Sequence, residues 1–185
     1  PHAIEKIIRA YTRAEIPHAD LFEKVANHIV ALEQINFPPS ILFGFVWSFA
    51  KVGMSHPPLF EKIADHIVAL DNLDDFYPLA LANTVRAFAR AGVSHPLLFE
   101  KVADHIVALD HLNEFIPPNI ADILWAFTAA GISHPQLFEK GANHIVALDN
   151  LEACRPSNIS NLLYTYVKAE ETHLQLFEKC ADHIV

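Results

Sequence analysis

The sequence predicts an all-α fold, an α-solenoid of stacked helical hairpins. Three observations predict it: a unit repeated five times, apolar residues at helical spacing within each unit, and prolines and glycines at the joints. The string LFEK recurs at spacings of 38, 39, 39 and 39 residues, and the string HIV recurs in step with it. The copies of LFEK begin at Leu21, Leu59, Leu98, Leu137 and Leu176.

Helix A of the clearest unit is predicted over residues 78–91. Pro78 suits the first turn of a helix, and Leu81, Val85 and Phe88 then recur on one face. Because the same pattern opens the other units, each unit is expected to begin with such a helix.

Helix B is predicted over residues 96–109. Gly92 lies where helix A would end in a left-handed residue, and Ser94 is the expected N-cap of helix B, with Pro96 in its first turn. The apolar surface of helix B is too wide for packing on one side only. A single hairpin cannot bury that surface, so successive units are expected to stack.

The units are expected at residues 1–37, 38–76, 77–115, 116–154 and 155–185, as a single array. No repeat with a polar outer face is visible at either end. We therefore expect the chain to be a segment of a longer array, with apolar surfaces meant for neighbouring units.

Composition argues against several protein classes. Hydrophobic residues make up 52% of the chain and charged residues 19%, which does not fit intrinsic disorder. No apolar run reaches the length of about eighteen residues that would predict a membrane span. Two cysteines give neither a disulfide framework nor a paired C-x-x-C zinc motif.

Catalysis and metal binding are not expected from the reactive residue types. The histidines of the repeat recur once per unit, so they are spread along the stack, and His105 and its copies are expected to be hydrogen-bonded structural residues. Cys154 and Cys180 occupy sites that are apolar in other units. Phosphate-binding glycine loops and common hydrolase motifs are absent. No enzyme activity, cofactor, metal or small-molecule substrate is therefore predicted.

The copies of helix B are nearly constant, whereas helix A varies along one stripe. We name each site of the repeat by its residue number in the third unit, so that site 83 means Asn83 and its copies. Offsets of three and four residues place the variable sites on one stripe of the helix, expected to be exposed. These sites are those of Ala80, Asn83, Arg86, Ala87 and Arg90.

The stripe has two interpretations, drift on a solvated face or a surface that reads a different ligand group at each unit. The residues at site 86 favour the second, because all of them are flat groups that can stack on nucleic acid bases. Trp47 and Trp125 have an alternative role as packing residues between units. The candidate RNA-binding residues are Lys6, Arg9, Arg13, Trp47, Lys51, Asn83, Arg86, Arg90, Asp122, Trp125, Asn161, Tyr164 and Lys168.

The net charge of −9 argues at first against nucleic acid, but the charges are unevenly placed. Seven of the thirteen basic residues fall on helix A, and five are the lysine of LFEK. The acidic residues lie mainly on helix B and in the loops that follow it. Because phosphate binding depends on one surface, the helix A surface remains a candidate for RNA.

The segments FYPLALANTVRAFARAGVSHPLLFEK and FIPPNIADILWAFTAAGISHPQLFEK resemble octotricopeptide repeats, and are similar to the helical region of FAST-kinase-domain proteins. The stretch from Asn119 to Ile132 matches the helix A pattern of these families best. Two departures are Gly44, which is expected to weaken helix A of the second unit, and the glutamates Glu15 and Glu170, which replace the terminal glycine. The RAP domain found in many such proteins is not within this sequence.

The resemblance implies sequence-selective binding of single-stranded RNA in a mitochondrial matrix or a chloroplast, in RNA processing, stability or translation. It also implies other organelle RNA-processing proteins as partners, and no membrane. No targeting segment is visible in the chain. The alternative is a protein-binding scaffold of the tetratricopeptide kind, which would hold a peptide on the same surface.

Overall fold

The structure, a computed structural model, describes residues 2–152 and 154–184. These residues form helices joined by short loops, without strands, and confirm the all-α solenoid. The A helices are α1 (His2–Arg13), α3 (Pro39–Lys51), α5 (Pro78–Ala91), α7 (Pro117–Ala130) and α9 (Pro156–Lys168). The B helices are α2 (Ala19–Val30), α4 (Pro57–Val68), α6 (Pro96–Ala108), α8 (Pro135–Ala147) and α10 (Leu174–Ile184).

The helices stack in two layers, one of A helices and one of B helices. Each helix packs against its counterpart in the next unit, and the A helices lie closer to one another than the B helices do. Closer spacing in one layer curves a solenoid toward that layer, so the A helices line its inner side. None of the described helices is long and apolar enough to cross a membrane.

Aromatic side chains fill the space between the layers. The ring of Phe88 packs against the ring of Phe60 in the preceding unit, with the two ring centroids 5.0 Å apart. The rings are edge to face, which is a favourable geometry for aromatic pairs. Phe127 and Phe99 repeat this contact one unit later at the same distance. Leu81, which shares this face of helix A, is also buried, as the periodicity predicts.

The predicted helix bounds in the third unit agree with the structure to within one residue. Helix α5 spans the predicted residues, and α6 ends one residue early, at Ala108. Gly92 is left-handed with φ of +67°, as expected for the residue that ends helix A. Glu15 and Glu170 adopt the same conformation, with φ of +56° and +58°, so the replacement of glycine leaves the turn intact.

The expectation that Ser94 caps helix B is wrong, because the cap is the next residue, His95. Its Nδ1 accepts a hydrogen bond from the backbone N–H of Leu98 at 3.2 Å. The Nδ1 atom of histidine is bonded to Cγ, as the Oδ1 atom of aspartate or asparagine is. It therefore reaches the backbone N–H three residues later, as the side chain of a usual N-cap does. The other B helices have the same cap, at His18, His56, His134 and His173.

The lysine of LFEK joins each unit to the one before it. Lys101 donates hydrogen bonds to the carbonyl of Val68, the last residue of α4, at 3.0 Å, and to that of Leu70, two residues beyond the helix. Lys62 and Lys140 bind the ends of α2 and α6 in the same way. Carbonyls at the end of a helix lack partners within it, so this cap explains why the lysine does not vary.

The two cysteines pack in the core, as the sequence comparison predicts. Cys154 and Cys180 are both buried, and burial raises the pKa of each thiol above its ordinary value. A thiol with a raised pKa is a poor nucleophile at neutral pH.

Candidate nucleic-acid interface

Three of the five predicted sites form the exposed stripe of the A layer. Seen along α5, Asn83, Arg86 and Arg90 lie opposite Leu81 and Phe88, which face the B helices. Residues at these sites are half-buried or exposed in the described units, apart from Gly44. The stripe therefore points away from the B layer, toward the inner side of the array.

The other two predicted sites, 80 and 87, are not on this surface. Ala80 and Ala87 are buried, because that side of α5 packs against α3 of the preceding unit. Their copies Ser48 and Ala126 are buried as well. The expectation that site 87 faces a ligand is therefore wrong, and its variation reflects packing between A helices.

Site 79 completes the stripe, and the sequence interpretation missed it. Leu79 and Ser40 are exposed one turn before site 83, and Pro118 is half-buried. The four-residue offset from site 83 was the signal for this site.

Every candidate residue is at least partly accessible. Arg9, Trp47, Asn83, Arg86, Asp122 and Trp125 are half-buried. Lys6, Arg13, Lys51, Arg90, Asn161, Tyr164 and Lys168 are exposed.

Gly44 of α3 accommodates an ion pair that forms within α1. Glu5 and Arg9 are bonded to each other, and a methyl group at residue 44 would overlap both side chains. The Arg9 guanidinium also lies 5.7 Å from the ring centroid of Phe43. Helix α3 is continuous through Gly44. A weaker helix at this residue remains an expectation about stability.

Arg86, at the same site as Arg9, joins the third and fourth units. Its guanidinium binds the carboxylate of Asp122 at 2.9 Å and lies 5.9 Å from the ring centroid of Trp125. Burial raises the pKa of Asp122, and the positive charges of Arg86 and Arg90 oppose that rise. The carboxylate of Asp122 is therefore paired with Arg86 within the protein, whereas the sequence interpretation predicted that it would contact RNA.

Three cations of the stripe lie together at the junction of the second and third units. Lys51, Arg86 and Arg90 surround a shallow pocket that Trp47 and Asn83 also line. Trp47 is half-buried, so part of its ring remains accessible beside these cations. Cations beside an accessible ring are suited to a phosphate and its neighbouring base.

The fifth unit presents the most accessible aromatic residue of the stripe. Tyr164 is 62% exposed, and the ammonium of Lys168 lies 5.7 Å from its ring centroid. Site 90 thus carries a cation in four units, at Arg13, Lys51, Arg90 and Lys168, and an alanine, Ala129, in the fourth. The row of cations is interrupted at one place.

Most acidic side chains lie away from the stripe, and Asp122 is the exception at site 83. Glu61, Asp65, Glu100 and Asp104 are exposed on the B helices, and the loops after α4, α6 and α8 carry further exposed aspartates. The described residues contain no group of three or more His, Cys, Asp or Glu side chains that could hold a metal ion. The A-layer stripe presents cations and planar groups in rows.

A family model described as RNA-editing substrate-binding complex 6 protein matches residues 2–185. The chain belongs to this family. A search of curated proteins found no significant match.

Membership of the RNA-editing substrate-binding complex 6 family agrees with the predicted class of protein, a helical repeat concerned with RNA. It assigns this helical repeat to a family concerned with RNA and with a multi-protein complex, as the resemblance implied. It does not extend to the octotricopeptide or FAST-kinase-domain families, so the likeness to them rests on the repeat alone.

Proposed function

We propose that this chain binds single-stranded RNA along the exposed stripe of its A helices. The observation that carries the proposal is the row of cations and planar side chains on one surface, with most acidic residues placed on the B helices and in the loops after them. The family description, which names a substrate-binding complex of RNA editing, supports RNA as the ligand. It also supports partners among other RNA-processing proteins.

In this proposal the cations of site 90 bind phosphates, and the planar groups of site 86 stack on bases. Lys51 and Arg90 flank the accessible part of Trp47, and Lys168 lies beside Tyr164, so each pair offers a charge and a ring together. Stacking on a ring contributes about 1–3 kcal/mol per base and discriminates little between bases.

Selectivity is assigned to site 83 in the units where its side chain faces the ligand. The amide of Asn83 can both donate and accept hydrogen bonds, and so can that of Asn161. Asp122 contributes differently, because Arg86 occupies its carboxylate. A code of one residue for one base therefore does not extend to the fourth unit.

The chain acts as a binding module without a reaction of its own. Of the two organelles implied by the resemblance, the family favours the mitochondrion, and RNA editing becomes the form of RNA processing in which the chain takes part. Roles in RNA stability or translation remain part of the wider proposal.

The test is RNA affinity as a function of salt concentration. Replacing Arg13, Lys51, Arg90 and Lys168 by glutamine should weaken binding to single-stranded RNA. It should also reduce the slope of log affinity against log salt by up to about 3, from about 0.7 for each lost phosphate contact. Circular dichroism of the same variant checks that the helices remain.

The matched comparison is Lys51→Gln against Lys24→Gln, since both lysines are exposed and they lie on different layers. Equal losses of affinity would show that charge alone matters, and that the stripe is not the RNA site. The competing function, a scaffold that binds a peptide on this stripe, predicts no RNA selected from a random pool.

A further inference from the structure

The B layer has a groove between α4 and α6 that the proposed function does not use. It encloses about 450 Å³, and apolar side chains, among them Val68, Leu73, Leu97 and Ala108, form much of its lining. The groove lies on the layer away from the candidate RNA surface, so both can be occupied together.

Leu97 distinguishes this groove from its counterparts along the array. Its side chain is 59% exposed at the edge of the groove, where burial offers it no stabilisation in the chain alone. The same site carries polar residues or proline in the other units: Asp20, Pro58, Gln136 and Gln175. An apolar anchor point is therefore present at one groove of the array.

The rim of the groove is acidic. Asp71, Glu100 and Asp104 are exposed around it, and Asp74 lies 3.9 Å from the imidazole of His105, which also lines it. The ammonium of Lys101 donates hydrogen bonds to the carbonyls at the end of α4, so its donors are already used within the chain. The groove thus combines an apolar lining with a negative rim.

We propose that this groove binds a segment of a partner protein that carries an apolar side chain flanked by lysine or arginine. The apolar side chain would cover Leu97, and the flanking cations would lie against the acidic rim. RNA and anionic lipid are excluded as occupants because the rim would repel phosphate. The proposal does not depend on RNA binding by the A layer.

The experiment selects displayed random peptides on the whole chain and measures the affinity of the enriched ones. We expect enriched peptides to carry an apolar residue between basic residues. Leu97→Gln, which copies Gln136, and Glu100→Lys should each weaken their binding about tenfold or more. Glu139→Lys, at the same site one unit later, is the matched control and should leave binding unchanged.

Three outcomes would overturn the proposal. One is a pool without basic, apolar-anchored peptides. Another is an equal loss with Glu100→Lys and Glu139→Lys, which would indicate attraction to the whole acidic layer. The third is self-association of the chain, measured by light scattering, that Leu97→Gln abolishes, since the occupant would then be a second copy.

Discussion

The hydroxyl of Tyr166 in α9 lies beside Gly141 of α8, 3.6 Å from the position that a Cβ on this glycine would take. That hydroxyl donates a hydrogen bond to the carbonyl of Phe138 at 2.7 Å, and the nearest neighbours of such a Cβ would be the side chains of Ile120 at 3.0 Å and Leu124 at 3.3 Å. At the three preceding junctions a larger residue at the site of Gly141 pairs with phenylalanine at the site of Tyr166: Val25 with Phe49, Ile63 with Phe88, and Val102 with Phe127. Both sites change together at the last junction.

We expect this pair to be coupled in stability. Gly141→Val should destabilise the chain by about 1–3 kcal/mol through overpacking, and Tyr166→Phe by about 1 kcal/mol through the lost hydrogen bond. The double variant restores the residues of the other units, so its loss should be smaller than the sum. Urea unfolding of the four proteins measures this, and strict additivity would contradict the coupling.

Lys101 should matter for stability more than its exposed copy. Lys101→Met removes two charge-assisted hydrogen bonds to the end of α4, which we expect to cost about 1–2 kcal/mol at this half-buried position. Lys24→Met serves as the control and should stay within about 0.5 kcal/mol, because Lys24 is exposed. A similar loss in both variants, measured by thermal unfolding, would show that the cap contributes little.

The free energy of unfolding should fall on acidification because two histidines of the B layer have lowered pKa values. Burial lowers the pKa of His66 and of His105, and the nearby Asp74 carboxylate partly offsets this for His105. A lowered pKa means that the unfolded chain binds protons more readily, so the free energy of unfolding declines as pH falls through about 6.5. Replacing both by glutamine should flatten that decline between pH 7.5 and about 5.

Unfolding in urea at several pH values measures this dependence. His28→Gln is the control for losing a histidine at the same site of the repeat, since His28 is exposed. If the double variant and the native chain lose stability in parallel, the pH dependence originates elsewhere.

Filling the gap in the row of cations should strengthen RNA binding. Ala129→Lys adds a positive charge to site 90 of the fourth unit, and we expect the salt slope to steepen by about 0.7 for one more phosphate contact. Ala147→Lys adds the same charge to an exposed site at the end of α8 and should have a smaller effect. A larger gain from Ala147→Lys would place the RNA on the other layer.

The sequence predicts the hairpins well because the five copies repeat the residue types that begin and end their helices. The bounds of α5 and the left-handed residue at Gly92 follow from local chemistry, from proline at the first turn and glycine after the last. Burial of Leu81 and Phe88 follows from helical periodicity. Such features require no knowledge of which units touch.

The features that the sequence did not predict depend on contacts between units. Ala87 is buried because α3 covers that side of α5, and no pattern within one helix reveals its neighbour. The bond between Arg86 and Asp122 joins residues 36 positions apart in the chain. His95 was missed for another reason, since histidine is not among the residues usually expected as helix caps.

The caps at the ends of the B helices have a direction along the chain. Lys101 and His95 both reach back, to the carbonyl end of α4 and to the carboxylate of Asp65, where the His95 Nε2 is 3.1 Å from Oδ1. During synthesis, the end of a B helix is therefore made before the residues that cap it. The B helix of each unit is capped only after the next unit has been synthesised. Truncation after any unit therefore leaves the carbonyls at the end of its last B helix without their lysine partner.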